Sequence, residues 1–175
     1  MKGIVIFKGK YGATRQYAEW LGDALGLAVL KAGQETKEQL AVADYLLLGS
    51  SIYIGKLQMR EWLEKNRVLM ANKKVYLFIV AGTPPNEKVK LEGYYKANVP
   101  PDMLGKIKYY FLPGKLEFKK LSWMDKLLLK TGSMLAKRSG ETISTTDYNE
   151  VKRENITALI DDVVFDFNHQ SVLQS

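Results

Sequence analysis

The order of apolar and polar residues predicts an α/β protein built on one parallel, doubly wound sheet. Three observations carry that reading. Apolar runs recur at strand length, as Ile4-Val5-Ile6-Phe7, Tyr45-Leu46-Leu47-Leu48 and Val75 to Ala81. Stretches of helical period lie between them. The run from Val75 to Ala81 is apolar almost without break, which suits a strand covered on both faces. Strands alternating with helices of about 10–15 residues imply parallel pairing.

Taken in order, Gly3–Phe7 reads as the first strand. Thr14 opens a helix whose Tyr17, Ala18, Leu21, Ala24 and Leu25 fall at helical spacing, and Gly26 ends it. Leu27–Leu30 reads as the second strand and Thr36–Val42 as a short polar helix. Tyr45–Leu48 is the third strand, running into the loop Gly49-Ser50-Ser51-Ile52-Tyr53-Ile54-Gly55. A helix carrying Leu57, Arg60, Glu61, Leu63 and Glu64 follows. Val75–Ala81 is the fourth strand, broken by Gly82-Thr83-Pro84-Pro85. Glu87–Asn98 reads as a helix, Ile107–Leu112 as the fifth strand, and Tyr148–Phe167 as the last helix. Five strands fit the order 2-1-3-4-5. The 175 residues are the length of one domain, 1–175. Residues 115–140 are too long for an ordinary connection and read as an insertion before the last helix.

Composition removes several kinds of chemistry. With no cysteine there is no disulfide framework, Cys-ligated zinc, iron–sulfur cluster or thiol nucleophile. His169 is the one histidine, and it reads as a tail residue, so His-based metal sites and Ser-His-Asp catalysis are not expected. Redox chemistry, if present, must come from an organic cofactor. The apolar run after Met1 and Lys2 is too short for a signal core, and nothing approaches the ~20 apolar residues of a membrane span. A cytoplasmic protein is expected. The net charge of +7 points to an anionic partner.

The loop Lys8-Gly9-Lys10-Tyr11-Gly12-Ala13-Thr14 joins the first strand to the first helix. Unpaired N–H groups and the helix dipole make such a junction a phosphate cradle. It also lies at the carboxyl edge of the sheet, where ligands of open α/β folds bind. A dinucleotide fingerprint is absent, since the loop offers Gly9-x-x-Gly12 and the second strand ends in Leu30-Lys31 rather than an acid. The Gly-Lys-Ser/Thr of a P-loop is absent too. A receiver domain needs acids where Lys8 and Ser50 stand.

A flavin mononucleotide suits the remaining residues. Lys10, Tyr11, Gly12, Ala13 and Thr14 are placed for its phosphate, and Ser50 and Ser51 for its ribityl chain. Tyr53, Ile54 and Gly55 supply one side of the ring site, Tyr53 through its aromatic face. Gly82, Thr83 and Pro84 supply the other, the glycines permitting close backbone approach.

Phe7…Gly12-Ala13-Thr14-Arg15, Gly49-Ser50-Ser51-Ile52-Tyr53-Ile54-Gly55-Lys56 and the long segment before the last helix together resemble the flavodoxin-domain family. Within it the chain is most similar to the menaquinone-dependent protoporphyrinogen oxidases. The resemblance implies a flavodoxin-like fold, an FMN-dependent oxidoreductase and a membrane quinone as electron acceptor. Family loops carry several Ser/Thr hydroxyls where this chain has Gly9, Lys10 and Tyr11, so Lys10 or Arg15 is expected to supply positive charge instead.

The insertion holds most of the charge. From Lys115 to Arg138 seven basic residues face two acids, Glu117 and Asp125, five of the seven net positive charges. Trp123, Leu127 and Leu129 stand among them, and Leu121, Met124, Leu128 and Leu135 share one helical face. A basic helix with a Trp and Leu face is the pattern of an interfacial helix, so 115–138 is expected to make peripheral contact with the inner face of the cell membrane or with a redox partner. Nucleic acid is not expected, because no reader motif is present. Two further readings stay open: a flavodoxin-type electron carrier, which the basic charge disfavours, and a flavin-free binding protein on the same fold.

Overall fold

The computed structural model describes residues 2–138 and 146–172. Five parallel strands form its centre: β1 (Gly3–Lys8), β2 (Ala28–Lys31), β3 (Tyr45–Tyr53), and two more separated from these by a short strand β4 (Lys56–Leu57), namely β5 (Lys74–Ala81) and β6 (Ile107–Pro113). Their spatial order is β2-β1-β3-β5-β6, the expected 2-1-3-4-5 arrangement. Register runs across the sheet through Val29, Val5, Leu47, Tyr76 and Lys108. The helices are α1 (Ala13–Leu25), α2 (Lys37–Val42), α3 (Arg60–Met70), α4 (Lys88–Asn98), α5 (Trp123–Arg138) and α6 (Thr157–Val172).

Alternation along each strand sends successive side chains to opposite faces. Ile4, Ile6, Leu46, Leu48, Leu77 and Ile79 pack with Leu63 and Met70 of α3 and Tyr95 of α4. Val5, Leu47, Tyr76, Phe78 and Val80 pack on the other face with Tyr17 and Leu21 of α1 and Leu159 and Val163 of α6. Both faces are apolar, which is why these strands read as unbroken runs. Polar ties also hold α6. The Tyr76 hydroxyl donates to Asp166 Oδ2 at 2.5 Å, the Tyr110 hydroxyl to Asp162 Oδ2 at 2.5 Å, and Lys108 Nζ lies 2.9 Å from Asp166. Burial, reinforced by these carboxylate partners, pushes both tyrosine hydroxyls well above their usual range.

Several local expectations need correction. The third strand does not stop at Leu48. It continues to Tyr53 because β4 folds back on it, pairing Ile52 with Leu57 and Tyr53 with Lys56. Ile54 and Gly55 make the turn with φ of 49° and 70°, the positive pair that a two-residue hairpin demands. Leu57 is therefore a strand residue, and α3 starts only at Arg60. The last helix begins at Thr157, not Tyr148. Its expected first turns are instead the strand β8 (Tyr148–Asn149), which pairs antiparallel with β7 (Lys115–Leu116), and a 3-10 turn at Arg153–Ile156. Leu121 is buried but precedes α5, while Met124 and Leu128 are exposed, so they do not share one packed face. The side chains of Leu135, Lys137, Arg138 and His169 lie outside the described residues.

Candidate functional site

A cleft opens at the carboxyl edge of the sheet, where β1, β3, β5 and β6 end. The loop after β1 contributes Lys10, Tyr11, Ala13 and Thr14. Ser51, Ile52 and Tyr53 come from the end of β3, Val80, Ala81 and Gly82 from β5 and the residue after it, and Gly114 and Lys115 from the chain leaving β6.

The floor is the start of α1. Gly12 adopts φ 86° and ψ −18°, no side chain caps the helix, and its first turn has no acid. The free N–H groups and positive end of the dipole thus face the cleft. Two cations flank them. Lys10 is one, and Lys115 Nζ lies 4.0 Å from where a Cβ on Gly12 would stand. Arg15, offered from the sequence as a second cation, turns away and pairs with Glu19 at 2.7 Å. Lys115, whose Nζ also lies 3.4 Å from Glu117 Oε1, is the second cation lining the cleft instead.

Of the residues expected to form the site, Lys10, Tyr11, Ala13, Thr14, Ser51, Tyr53 and Gly82 line one cleft. The other six do not line it. Gly12 is the α1 cap. Ile54 and Gly55 form the hairpin turn, with Ile54 64% exposed. Thr83 and Pro84 follow β5 outside the lining. Ser50 is fully buried. Its hydroxyl accepts from the Met59 N–H at 3.1 Å and donates to the Ser51 carbonyl at 3.2 Å, so it ties the hairpin to the start of α3. Ser51 is the opposite case: its Oγ is enclosed and has no hydrogen-bond partner. A hydroxyl so placed is out of keeping with the near-universal pairing of buried polar groups.

Sequence reasoning missed two further side chains. A Cβ on Gly82 would sit 2.5 Å from the Tyr148 hydroxyl, so β8 brings that tyrosine against the cleft rim. Asp125 of α5 is the other. It is 6% exposed, with Lys10 Nζ 2.7 Å from its Oδ2. The hydroxyls of Tyr11 and Tyr53 donate to its Oδ2 and Oδ1 respectively. The hydrogen bond to Asp125 raises the Lys10 ammonium above its usual pKa against a smaller opposing effect of burial. The available signal was Asp125's rarity as an acid in a basic segment.

Residues 4–143 match the flavodoxin domain family, four-fifths of the chain. The chain belongs to the flavodoxin-domain family. No curated protein matches it. Among solved structures it is similar to the Trp repressor binding protein from Bacillus subtilis (19% identity, 65% of this chain and 85% of that one, TM-score 0.48). It is also similar to a flavodoxin from the domain Archaea (16%, 65% and 85%, TM-score 0.41) and to Smu.1420 from Streptococcus mutans (11%, 78% and 100%, TM-score 0.46). At these identities and scores none of the three bears on what this flavodoxin-domain chain binds.

The cleft residues suit a phosphate-tailed ligand: an uncapped helix start, two cations, an orphaned hydroxyl and a glycine-lined wall. Among the described residues no helix is long and apolar enough to cross a membrane.

Proposed function

We propose that the cleft holds FMN and that the chain is an FMN-dependent oxidoreductase like the menaquinone-dependent protoporphyrinogen oxidases, taking electrons from an organic substrate and giving them to a quinone. The observation that carries the reading is the partnerless Ser51 hydroxyl in a cleft floored by the uncapped start of α1. In this reading the α1 amides, Lys10 and Lys115 take the phosphate, Ser51 meets the ribityl chain, and Gly82 borders the ring. FMN, once bound, supplies the electron transfer itself.

The exposed apolar side of α5 supports a membrane-facing acceptor. Trp123, Met124, Leu127, Leu128 and Met134 are 42–74% exposed, beside Lys119, Lys120, Lys126 and Lys130. Apolar side chains and lysines so combined favour an anionic interface, each lysine contributing on the order of 1 kcal/mol.

The test is to purify the protein, extract and identify its chromophore, titrate FMN into the stripped protein, and assay protoporphyrinogen oxidation with a menaquinone analogue. Bound FMN with quinone-dependent turnover is expected. FMN binding without turnover leaves an electron carrier, and no flavin under any condition overturns the reading. Sedimentation with vesicles containing anionic lipid, lost in Trp123→Glu, tests the surface; no sedimentation at low salt removes the membrane from the proposal.

A further inference from the structure

Three donors from the body of the protein converge on one carboxylate from α5. Lys10 and Tyr11 come from the loop after β1, Tyr53 from the end of β3, and all three bind Asp125. Lys10 Nζ also stands 4.2 Å from the centre of the Tyr53 ring, so the ammonium and both hydroxyls form one pocket. Charge-assisted bonds of this kind are the strong ones, and a carboxylate this deep requires them.

The setting of Asp125 is unusual for its helix. Ser122 caps α5 by accepting the Asp125 N–H at 3.2 Å. An acid at that third helical position commonly reaches back to the capping residue. Here it reaches across to the body instead. Ser122, Trp123 and Met124 beside it are exposed, as are Leu127 and Leu128 one turn on. Leu121 is the one buried apolar residue here, and polar contact with the cleft otherwise holds this end of α5. With few buried apolar contacts, the segment is free to open once another anion takes over those donors.

We propose that Lys10, Tyr11 and Tyr53 are an oxyanion site for a ligand's phosphate or carboxylate, and that Asp125 is its internal occupant. An arriving oxyanion and the Asp125 carboxylate compete for the same donors, so ligand binding and release of the start of α5 are one exchange. The apparent affinity is then reduced by the fraction of molecules in which Asp125 holds the site. This rests on reading the cleft as a ligand site, and it adds what ligand binding must displace.

The experiment uses the full chain stripped of any flavin. Hydrogen–deuterium exchange of residues 121–134 is followed with FMN, riboflavin, inorganic phosphate and glutarate, and binding of each is measured for wild type and Asp125→Asn. The expected result is faster exchange in 121–134 on adding an oxyanion. Asp125→Asn is expected to bind it at least about fivefold tighter, the low end of ordinary coupling. Effects of FMN and phosphate without riboflavin assign the site to phosphate; an effect of glutarate alone assigns it to carboxylate. FMN binding with unchanged exchange and equal affinity in both proteins overturns the exchange but leaves the FMN reading intact. Response to phosphate or glutarate without FMN binding does the reverse. No response to any probe sinks both. The exchange arm needs no variant, so it decides even if Asp125→Asn fails to fold.

Discussion

Replacing Ser51 with alanine should raise the stability of the flavin-free protein and weaken its hold on FMN. The two effects have opposite signs because the hydroxyl has no protein partner. Ser51 Oγ is enclosed at the cleft and unbonded, and leaving a buried hydroxyl unpaired costs about 1–3 kcal/mol. Alanine keeps the Cβ and removes only that oxygen. Ser51 as a residue is half-buried, so the low end applies: a gain of about 1 kcal/mol, or about 2–4 °C in Tm for a chain of this size. If the ribityl chain uses that hydroxyl, FMN binding should weaken by about 0.5–1.5 kcal/mol, roughly two- to twelvefold in Kd. Ser50→Ala is the control. It strands the buried Met59 N–H and should lose about 1–3 kcal/mol while leaving Kd unchanged. Urea unfolding of the stripped proteins and fluorescence titration with FMN read both quantities. A Ser51→Ala protein that is less stable than wild type, or that binds FMN equally well, refutes the reasoning.

Three further outcomes follow from the fold. Gly49→Ala should cost about 1–3 kcal/mol by urea unfolding, because its Cβ would stand 2.2 Å from Cζ of the buried Phe78; a change under about 0.5 kcal/mol means the ring moves freely. Ile54→Asn should stabilise by about 1 kcal/mol, since Ile54 is exposed at φ 49° where asparagine is tolerated and a β-branched residue is strained; a fall in the urea midpoint contradicts this. For Asp166, burial opposes ionisation, but bonds from Tyr76 and Lys108 and the charges of Lys108 and Lys74 outweigh it and hold the carboxyl below its usual pKa. A depressed carboxylate stabilises above its unfolded value near 3.9 and loses that stabilisation as pH falls through its folded value. The deficit of Asp166→Asn should therefore be full at pH 7 and shrink below about pH 4 in pH-resolved urea midpoints; a constant deficit counts against the paired carboxylate.

The five strands, their order and the loop at the first helix were readable from the chain because they rest on local pattern. Apolar runs such as Val75 to Ala81 and the periodic Tyr17, Ala18 and Leu21 state which surfaces must be covered, and parallel pairing follows from the alternation of elements. The Ile54-Gly55 hairpin was hidden, since isoleucine is a poor turn residue and its conformation is imposed by the pairing of Ile52 with Leu57. The start of α6 was misread for a like reason: Tyr148 answers to Leu116, far away in sequence.

Within the cleft the same division holds. Lys10 on a loop, Thr14 at a helix start and Ser51 at a strand's carboxyl end have their place at the sheet edge from topology alone. Which of two adjacent serines faces the core is set by side-chain direction and by the Met59 N–H, so only the folded chain separates Ser50 from Ser51. Asp125 reaches Lys10 across a separation of 115 residues. Local pattern determined the sheet and the loop at the first helix; long-range packing decided which charges meet there, because a burial pattern specifies a face but not the partner that will cover it.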